Sequence, residues 1–491
     1  MSVHPTASLW NVPGQIRIPV ARIGFRRVTA IPSIYHTLTL IFATGTLRMS
    51  SPMNAPPHAT LEAKGRSNVG SLLARILSGD LDFHDTASNY ASHALHAFAA
   101  KFPPQLPRIF IEGLTEKGER VLDPMMGSGT AIVEAFLCGR RAIGFDIDPL
   151  SLMICRVKTH PVDLLQATWA GQRVIGSAQK VLYRATRLES AMRERFSQPT
   201  LEFIDYWFGK QTQRELMALL LAIEREGLEQ RLTDFLKVVF SSIIITKSGG
   251  VSRAYDLAHT RPHRLEDKPY KDAIKAFERR LFKSAALLSQ LPSNGREVEI
   301  LQHDSRQRSP LDHDSVQLIV TSPPYANAID YMRAHKFSLV WFGHDINSLS
   351  TLRSTYIGAE KRSGLEEIKF PDAVLRILSD LARVDAKKSL VLRKYFSDMR
   401  FAMHEMLRVL EPGRCCVIVV GPSTMRGHVI KTHDLLSQIA DEIGFSTVEI
   451  AQRKLDRNRR MLPAAFRRNH NSQIESRMHE EYIIGLMKPS R

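Results

Sequence analysis

The sequence predicts an α/β fold, a doubly wound and largely parallel sheet that is interrupted by an inserted helical subdomain. Short apolar strands alternate with glycine turns and helices on both sides of a long central segment, and this alternation is typical of doubly wound sheets. The central segment, residues 161–295, has helical periodicity instead. It is too long to be a loop in a compact sheet domain, so it is predicted to be a subdomain of its own.

The composition is that of a globular chain with an anionic partner. The 491 residues are too many for one ordinary core, and the apolar (44%) and charged (24%) fractions exclude a disordered or fibrous protein. The net charge of +17 favours nucleic acid over a membrane surface. No apolar run reaches the roughly 20 residues of a membrane helix. Four cysteines without a CxxC pair favour a reducing, cytoplasmic setting.

Four regions are predicted along the chain. Residues 1–65 form a basic N-terminal arm without an acidic residue before Glu62. Disorder, a translation start downstream at Met49 or Met53, and a targeting segment remain open for this arm. Residues 66–160 carry the first part of the sheet domain, 161–295 the helical insertion, and 296–491 the second part of the sheet domain.

The first part of the sheet contains one clear βαβ unit. Arg120–Asp123 and Arg141–Asp146 read as buried strands, and a glycine turn and the helix Ala131–Cys138 lie between them. Further strands are predicted downstream, followed by a closing pair. These strands are Val298–Leu301, Gln317–Val320, Cys415–Val420, Ser446–Ile450 and Tyr482–Met487.

A glycine loop, Asp-Pro-Met-Met-Gly-Ser-Gly-Thr over residues 123–130, follows the first strand. Glycine lets the backbone approach a ligand, and the next helix presents its N-terminal N–H groups. The spacing fits neither a Walker loop nor GxGxxG. Asp146 ends the second strand, where a carboxylate can accept the ribose hydroxyls of an adenosine cofactor. A purely structural turn is the alternative, but the flanking Asp123 and Asp146 favour cofactor binding.

A second motif, Thr-Ser-Pro-Pro-Tyr over residues 321–325, follows an apolar strand. Its two prolines stiffen the loop and remove two N–H donors. The remaining acceptors, which include the Ser322 hydroxyl, lie beside the aromatic face of Tyr325. This combination suits a planar group with an exocyclic amine. A rigid proline turn with a packed tyrosine is the alternative, and the glycine loop in the same basic chain weighs against it.

Together these two motifs resemble those of the amino-methylating DNA methyltransferases, which modify N4 of cytosine or N6 of adenine. Ser-Pro-Pro-Tyr is more typical of the N4-cytosine branch, and Asp-Pro-Pro-Tyr is commoner among the adenine enzymes. The segment His93–Pro107 is similar to the upstream family segment that leads a helix onto the methionine end of the cofactor. The similarity runs from about Tyr90 to the C-terminus. Met125 stands where an aromatic is usual, and Ala97 and Ala99 stand where prolines are usual.

The resemblance implies a Rossmann-like methyltransferase sheet, the cofactor S-adenosylmethionine and double-stranded DNA as substrate, with a companion restriction endonuclease. Asp146 would hold the ribose and Asp304 the adenine amine. Ser322 and the Pro323 carbonyl would hold the target base, and Tyr325 would stack on it after it flips out. The implied cofactor residues are Asp123, Pro124, Gly127, Gly129, Thr130, Asp146 and Asp304, and the implied catalytic residues are Ser322, Pro323, Pro324 and Tyr325.

Other functions remain open at this point. An N6-adenine enzyme, an RNA amino-methyltransferase, which usually carries Asn-Pro-Pro-Tyr, and a catalytically inactive nucleic-acid-binding protein on the same fold are the alternatives. Methylation at C5 of cytosine needs a cysteine nucleophile, normally after proline, and none of the four cysteines follows one.

Two basic stretches are candidates for DNA phosphate contacts, with solvated loops as the alternative. They are Lys247–Arg264 and the connector with Arg453, Lys454, Arg457, Arg459, Arg460, Arg467 and Arg468. No metal is expected, because His160, His335 and His404 lack ligand spacing. Trp207 and Phe208 are expected to pack rather than stack on bases.

Overall fold

The computed structural model describes residues 69–84, 86–99, 101–247, 249–255, 257, 262–293, 297–326, 330–358, 368–455 and 479–490. The predicted N-terminal arm 1–65 lies outside these residues. So do Arg261 of the first basic stretch and the arginines at 457–468 of the second.

Seven strands form one mixed sheet, in the order β3-β2-β1-β4-β5-β9-β8. Strands β1 to β5 run parallel, and β9 pairs antiparallel with both β5 and β8. Two short strands, β6 and β7, form a separate hairpin. The strands are β1 Arg120–Asp123, β2 Arg141–Asp146, β3 Val298–Gln302, β4 Val316–Thr321, β5 Leu410–Val420, β6 Ser423–Met425, β7 His428–Ile430, β8 Ser446–Lys454 and β9 Glu480–Met487. The sheet confirms the predicted α/β class, and each predicted strand coincides with an observed one.

The strand order reverses between β1 and β4, and this reversal fixes the position of the binding crevice. Val121 pairs with Leu318 and Leu122 with Ile319, so the two strands end side by side. In open α/β sheets, ligands bind outside the carboxyl ends of the strands at such a switch point. The loops after β1 and β4 therefore share one edge of the sheet.

Fifteen α-helices surround the sheet in the part of the chain that the structure describes. They are α1 Val69–Leu77, α2 Gln105–Leu114, α3 Thr130–Leu137, α4 Pro149–Lys158, α5 Leu164–Leu182, α6 Ala185–Arg195, α7 Gln198–Trp207, α8 Lys210–Arg225, α9 Gln230–Ile244, α10 Ala273–Leu288, α11 Met332–Leu339, α12 Ile346–Thr355, α13 Asp372–Val384, α14 Ala386–Val409 and α15 Thr432–Ile443. None of these helices is long and apolar enough to cross a lipid bilayer.

Successive residues of the central strands point to opposite faces of the sheet. Leu318 belongs to a core with side chains of α1, α2 and α3, whereas Ile319 packs with side chains of α13, α14 and α15. The sheet is thus covered by helices on both faces, as a doubly wound sheet requires.

Helices α5 to α10 form the predicted helical segment, and they share a core with the sheet domain. Phe235 of α9 belongs to the same hydrophobic cluster as Ile154 of α4 and Phe337 of α11. Phe208 is buried, and Trp207 packs edge to face on Phe337 with ring centroids 4.9 Å apart. Both aromatic residues therefore pack, as expected from the sequence, while the domain boundaries at 160 and 295 stay predictions.

Candidate active site

A cleft of about 870 Å³, part of it open to solvent, lies at the carboxyl ends of β1 to β4. It brings together the glycine loop and the Ser-Pro-Pro-Tyr loop, which are far apart in the sequence. The predicted site residues that line it are Asp123, Pro124, Gly127, Thr130, Asp146, Asp304, Ser322 and Pro324. Gly129, Pro323 and Tyr325 are not in its wall.

The glycine loop is tied to the end of β2 by Asp146. Its Oδ2 atom accepts a hydrogen bond from the Gly127 N–H at 2.9 Å, and its Oδ1 atom accepts one from the Asp148 N–H at 2.8 Å. Gly127 has a φ of +49°, and a Cβ there would lie 3.3 Å from the Phe98 ring. Glycine is therefore needed here both for its backbone conformation and for the close approach of Phe98.

Gly129, which is predicted to border the cofactor, lies just outside the wall of the cleft. It adopts a φ of +74° directly before α3, and a Cβ there would overlap Sγ of Cys155 in α4. Its missing side chain lets α3 and α4 pack closely. Gly129 thus shapes the loop from behind, whereas Gly127 and Thr130 face the cleft.

A buried lysine donates a hydrogen bond to the backbone of the same loop. Lys158 in the last turn of α4 is only 1% exposed, and its Nζ atom donates a hydrogen bond to the Ser128 carbonyl at 2.7 Å. Burial lowers the pKa of this lysine to about 8. Sequence reasoning missed Lys158, because a lysine in the last turn of a helix is ordinarily explained by the helix dipole.

Two carboxyl groups of the cleft have unusually high pKa values. Burial raises the pKa of Asp123 to about 7. Burial also raises the pKa of Asp146 to about 7, and the charge of nearby Asp148 adds to this shift. Neither carboxylate forms an ion pair with a described residue, so a positively charged ligand would stabilise their ionised forms.

Asp148 behaves differently because it already has partners. Its Oδ2 atom contacts Nδ1 of His335 at 2.7 Å and accepts a hydrogen bond from the Tyr356 hydroxyl at 2.6 Å. Burial acts to raise the pKa of Asp148, but His335 and these hydrogen bonds outweigh it and the net shift is downward. His335 is thus the buried partner of Asp148. The described residues contain no cluster of metal-ligating side chains.

Asp304 lies in the cleft wall, paired with an arginine that the sequence analysis did not single out. Nε of Arg306 lies 2.9 Å from Oδ1 of Asp304, and Nη2 lies 2.6 Å from Oδ2. Arg306 also reaches Oδ1 of Asp398 at 3.0 Å. Arg306 lines the cleft and fixes the orientation of the carboxylate that was predicted to accept the adenine amine.

Aromatic side chains form another part of the cleft wall. Phe98 and Tyr331 lie in its wall with ring centroids 5.3 Å apart, and Tyr356 lies there too. Phe98 belongs to the predicted upstream segment His93–Pro107, so that segment does reach the cleft. The two tyrosines follow the Ser-Pro-Pro-Tyr loop, and no motif indicated them in advance.

The Ser-Pro-Pro-Tyr loop is anchored by its tyrosine. The Tyr325 hydroxyl donates a hydrogen bond to Oε1 of Glu481 in β9 at 2.9 Å. Its ring lies against Gly421, where a Cβ would come within 2.8 Å of Cε2. Burial holds the pKa of Tyr325 well above its ordinary value, with the Glu481 charge acting in the same direction, so the hydroxyl remains a donor.

Glu481 also forms an ion pair with Arg453, a residue of the predicted basic connector. Nη1 of Arg453 lies 2.8 Å from Oε2 of Glu481, and Arg453 is 4% exposed. Arg453 is therefore a buried partner of Glu481, which anchors the Ser-Pro-Pro-Tyr loop, rather than a surface contact for DNA.

Comparisons with known proteins agree with this geometry. A family model described as DNA methylase matches residues 62–154, which include the glycine loop and Asp146. The Type II methyltransferase M.MvaI of Kocuria varians is 24% identical over 405 residues, covering 78% of this chain and 87% of the relative. M.BsoBI of Geobacillus stearothermophilus is 23% identical, covering 74% and 80%. M.AvaI of Nostoc sp. is 24% identical, covering 68% and 74%.

The sheet, its cleft and these matches define an S-adenosylmethionine-dependent methyltransferase. The matched family model and these relatives support the resemblance of the chain to the amino-methylating DNA methyltransferases. The predicted fold class, family resemblance and cofactor are thereby confirmed.

Proposed function

We propose that this protein methylates an exocyclic amine of a base in double-stranded DNA, most specifically N4 of cytosine within a defined sequence. Such modification would protect host DNA beside a companion restriction endonuclease. The observation that carries the proposal is that Gly127, after β1, and Ser322, after β4, line the same cleft. A cofactor held by the first loop and a base held by the second would therefore be neighbours.

The cleft residues fit S-adenosylmethionine. Gly127 provides a wall without a side chain, and the carboxylates of Asp123 and Asp146 suit a ligand with cationic and hydroxyl groups. We assign Asp146 to the ribose hydroxyls and Asp304 to the adenine amine. When bound, this cofactor supplies an electrophilic methyl group on a sulfonium.

The protein's own task is mostly positioning. In this proposal the Ser322 hydroxyl and the Pro323 carbonyl accept the hydrogens of the target amine and turn its lone pair toward the cofactor side of the cleft. Pro323 and Pro324 carry no N–H that could compete for those acceptors. Tyr325 holds the loop in place through Glu481, and we keep its stacking on the flipped base as part of the proposal.

Cytosine is favoured because the loop begins with serine. Ser-Pro-Pro-Tyr is more typical of the N4-cytosine branch, and the Ser322 side chain lies in the cleft wall. An adenine enzyme remains the principal alternative.

The test is methyl transfer from tritiated S-adenosylmethionine to plasmid DNA, with bulk tRNA as a parallel substrate. Digestion of the labelled DNA to nucleosides, followed by chromatography, separates N4-methylcytosine from N6-methyladenine. Label in N4-methylcytosine supports the full proposal. Label in N6-methyladenine overturns the base assignment alone, and label only in tRNA, or in neither substrate, overturns DNA as the substrate.

A further inference from the structure

The helical segment carries a group of lysines on the connection between α9 and α10. Between α9 and α10 the chain forms a hairpin, which we call the basic hairpin (Lys247, residues 249–255 and residues 262–271). Its two arms are joined by a bridge between Ala254 and Arg264. Backbone hydrogen bonds from Tyr255 to His263 at 2.9 Å and from Leu265 to Arg253 at 2.9 Å close it further. It is therefore a defined structural element.

Four lysines follow one another from the cleft into this hairpin. Lys101 lines the cleft. The same segment, His93–Pro107, contacts the end of α9, where Nε2 of His96 lies 2.9 Å from Oγ of Ser241, and the hairpin begins just after that helix. Lys271 donates to the carbonyl of Gly249, two residues after Lys247. Lys268 donates to the carbonyls of Ser252 and Ala254, at 2.6 Å each.

The charges of these lysines are not neutralised within the protein. Among the residues that the structure describes, Lys101, Lys268 and Lys271 donate to backbone carbonyls. None of these three lysines, nor Lys247, forms an ion pair with a carboxylate there. By contrast, Arg264 pairs with Glu266 at 3.0 Å. Lys247 and Lys271 are exposed, so they are the lysines of this group that remain available to a polyanion.

Exposed aromatic rings accompany the lysines. Tyr255 is 53% exposed and Tyr270 is 58% exposed, which is unusual for side chains of this size. Tyr206 is half exposed, and the Arg264 guanidinium stacks over its ring at 4.3 Å. Basic groups interleaved with aromatic faces are typical of surfaces that bind nucleic acid.

We infer that the basic hairpin binds the phosphate backbone of the duplex beside the target base, with Lys247 and Lys271 as the phosphate contacts. This inference rests on the proposed function, because the hairpin adjoins the cleft that would receive the flipped base. Arg453, at the end of β8, is not available for such a contact, because it is buried against Glu481. Phosphate contacts fix the position of a protein on DNA and carry no sequence information themselves.

The test measures the affinity for a fluorescent duplex by anisotropy at several salt concentrations. The variants are Lys247→Gln and the double variant Lys247→Gln/Lys271→Gln. Lys117→Gln is the matched control, because Lys117 is exposed and lies before β1, at the opposite edge of the sheet. Each lost phosphate contact should reduce the slope of log K against log salt by about one. The weakening should be equal for unrelated duplexes, with S-adenosylmethionine binding unchanged.

Methyl transfer by the same variants separates this inference from the proposed function. We expect the KM for DNA to rise while kcat at saturating DNA is retained. A Lys247→Gln variant whose salt slope and KM equal those of Lys117→Gln overturns the hairpin inference alone. A change of slope with tRNA but not with duplex DNA also overturns it. A wild-type protein that methylates no DNA overturns the proposed function instead.

Discussion

The ammonium group of Lys158 donates a hydrogen bond to the backbone oxygen of Ser128 at 2.7 Å, while the neighbouring Gly127 N–H donates to Asp146 at 2.9 Å. The glycine loop is thus held by a cation at the Ser128 carbonyl and by a carboxylate at the Gly127 N–H. Because both contacts lie at the cleft, the shape of the cofactor-binding wall depends on side chains that belong to α4 and β2.

Replacing Lys158 with methionine should weaken cofactor binding without weakening the fold. A hydrogen bond to a charged group contributes about 1.5–3 kcal/mol, so we expect the Kd for S-adenosylmethionine to rise roughly ten- to a hundredfold. Thermal stability should stay equal or increase, since the variant no longer buries a charge. Calorimetric titration and thermal melting measure both quantities. Lys180→Met, at an exposed position of α5, is the control, and an unchanged Kd for Lys158→Met would contradict the role of Lys158.

Cofactor affinity should increase as the pH rises through about 7. Burial raises the pKa values of Asp123 and Asp146 to about 7, so the free protein holds protons there below that pH. A cationic ligand favours the ionised carboxylates and lowers their pKa values, so binding releases protons. Affinity then rises by up to about tenfold per pH unit for each proton released. Loss of charge from Lys101, whose pKa burial lowers to about 7, acts in the same direction.

Titrations between pH 6 and 8 in buffers of different ionisation enthalpy measure this proton release directly. S-adenosylhomocysteine is the control ligand, because it lacks the sulfonium charge, and its affinity should depend less on pH. Equal pH profiles for the two ligands would argue against the electrostatic role of these carboxylates.

Removing the Ser322 hydroxyl should separate methyl transfer from cofactor binding. Ser322→Ala deletes an acceptor for the target amine, and misplacement of a reacting group costs about a hundredfold in rate. We expect kcat to fall by about that factor, with the Kd for S-adenosylmethionine within twofold of wild type. Single-turnover methylation of DNA provides the rate, and wild-type turnover in Ser322→Ala would refute the assignment.

A methyl group added at Gly421 should displace the Tyr325 ring and with it the Ser-Pro-Pro-Tyr loop. The new Cβ would lie 2.8 Å from Cε2 of Tyr325, so the ring and its loop must move. Overpacking of this kind costs about 1–3 kcal/mol, and we expect Gly421→Ala to lose methylation while it retains cofactor binding. Gly176→Ala is the matched control, because a Cβ there meets no neighbour within 4 Å and lies in α5. Equal activities of the two variants would show that the Tyr325 ring tolerates displacement.

The strands and both loops could be predicted because buried parallel strands are short apolar runs, and because their ends carry glycine, proline and aspartate. Arg141–Asp146, for example, is predicted and observed with the same bounds. Helices were harder to place. The sequence analysis does not predict α13, and it does not predict the full length of the 24-residue helix α14. Polar residues interrupt the helical period over much of α14, so its earlier turns gave little signal.

The partners of the predicted site residues could not be predicted. Lys158, Arg306 and Glu481 lie in a helix, a turn and a strand, at positions whose local sequence indicates no ligand. Their roles follow from contacts across the fold, such as the one between Tyr325 and Glu481, and a single sequence does not contain that distance information. The same holds for Gly129, whose packing against Cys155 depends on how closely α3 approaches α4.

The hydrogen bond between Tyr325 and Glu481 also has a consequence for the synthesis of the chain on the ribosome. The two residues are 156 positions apart in the chain. At about 5–20 residues per second, a ribosome needs roughly ten to thirty seconds after making the tyrosine before its partner exists. A nascent chain in that interval already has both motifs but lacks the anchor of the second. Until Glu481 is made, the Ser-Pro-Pro-Tyr loop therefore cannot form the hydrogen bond that anchors it in the complete chain.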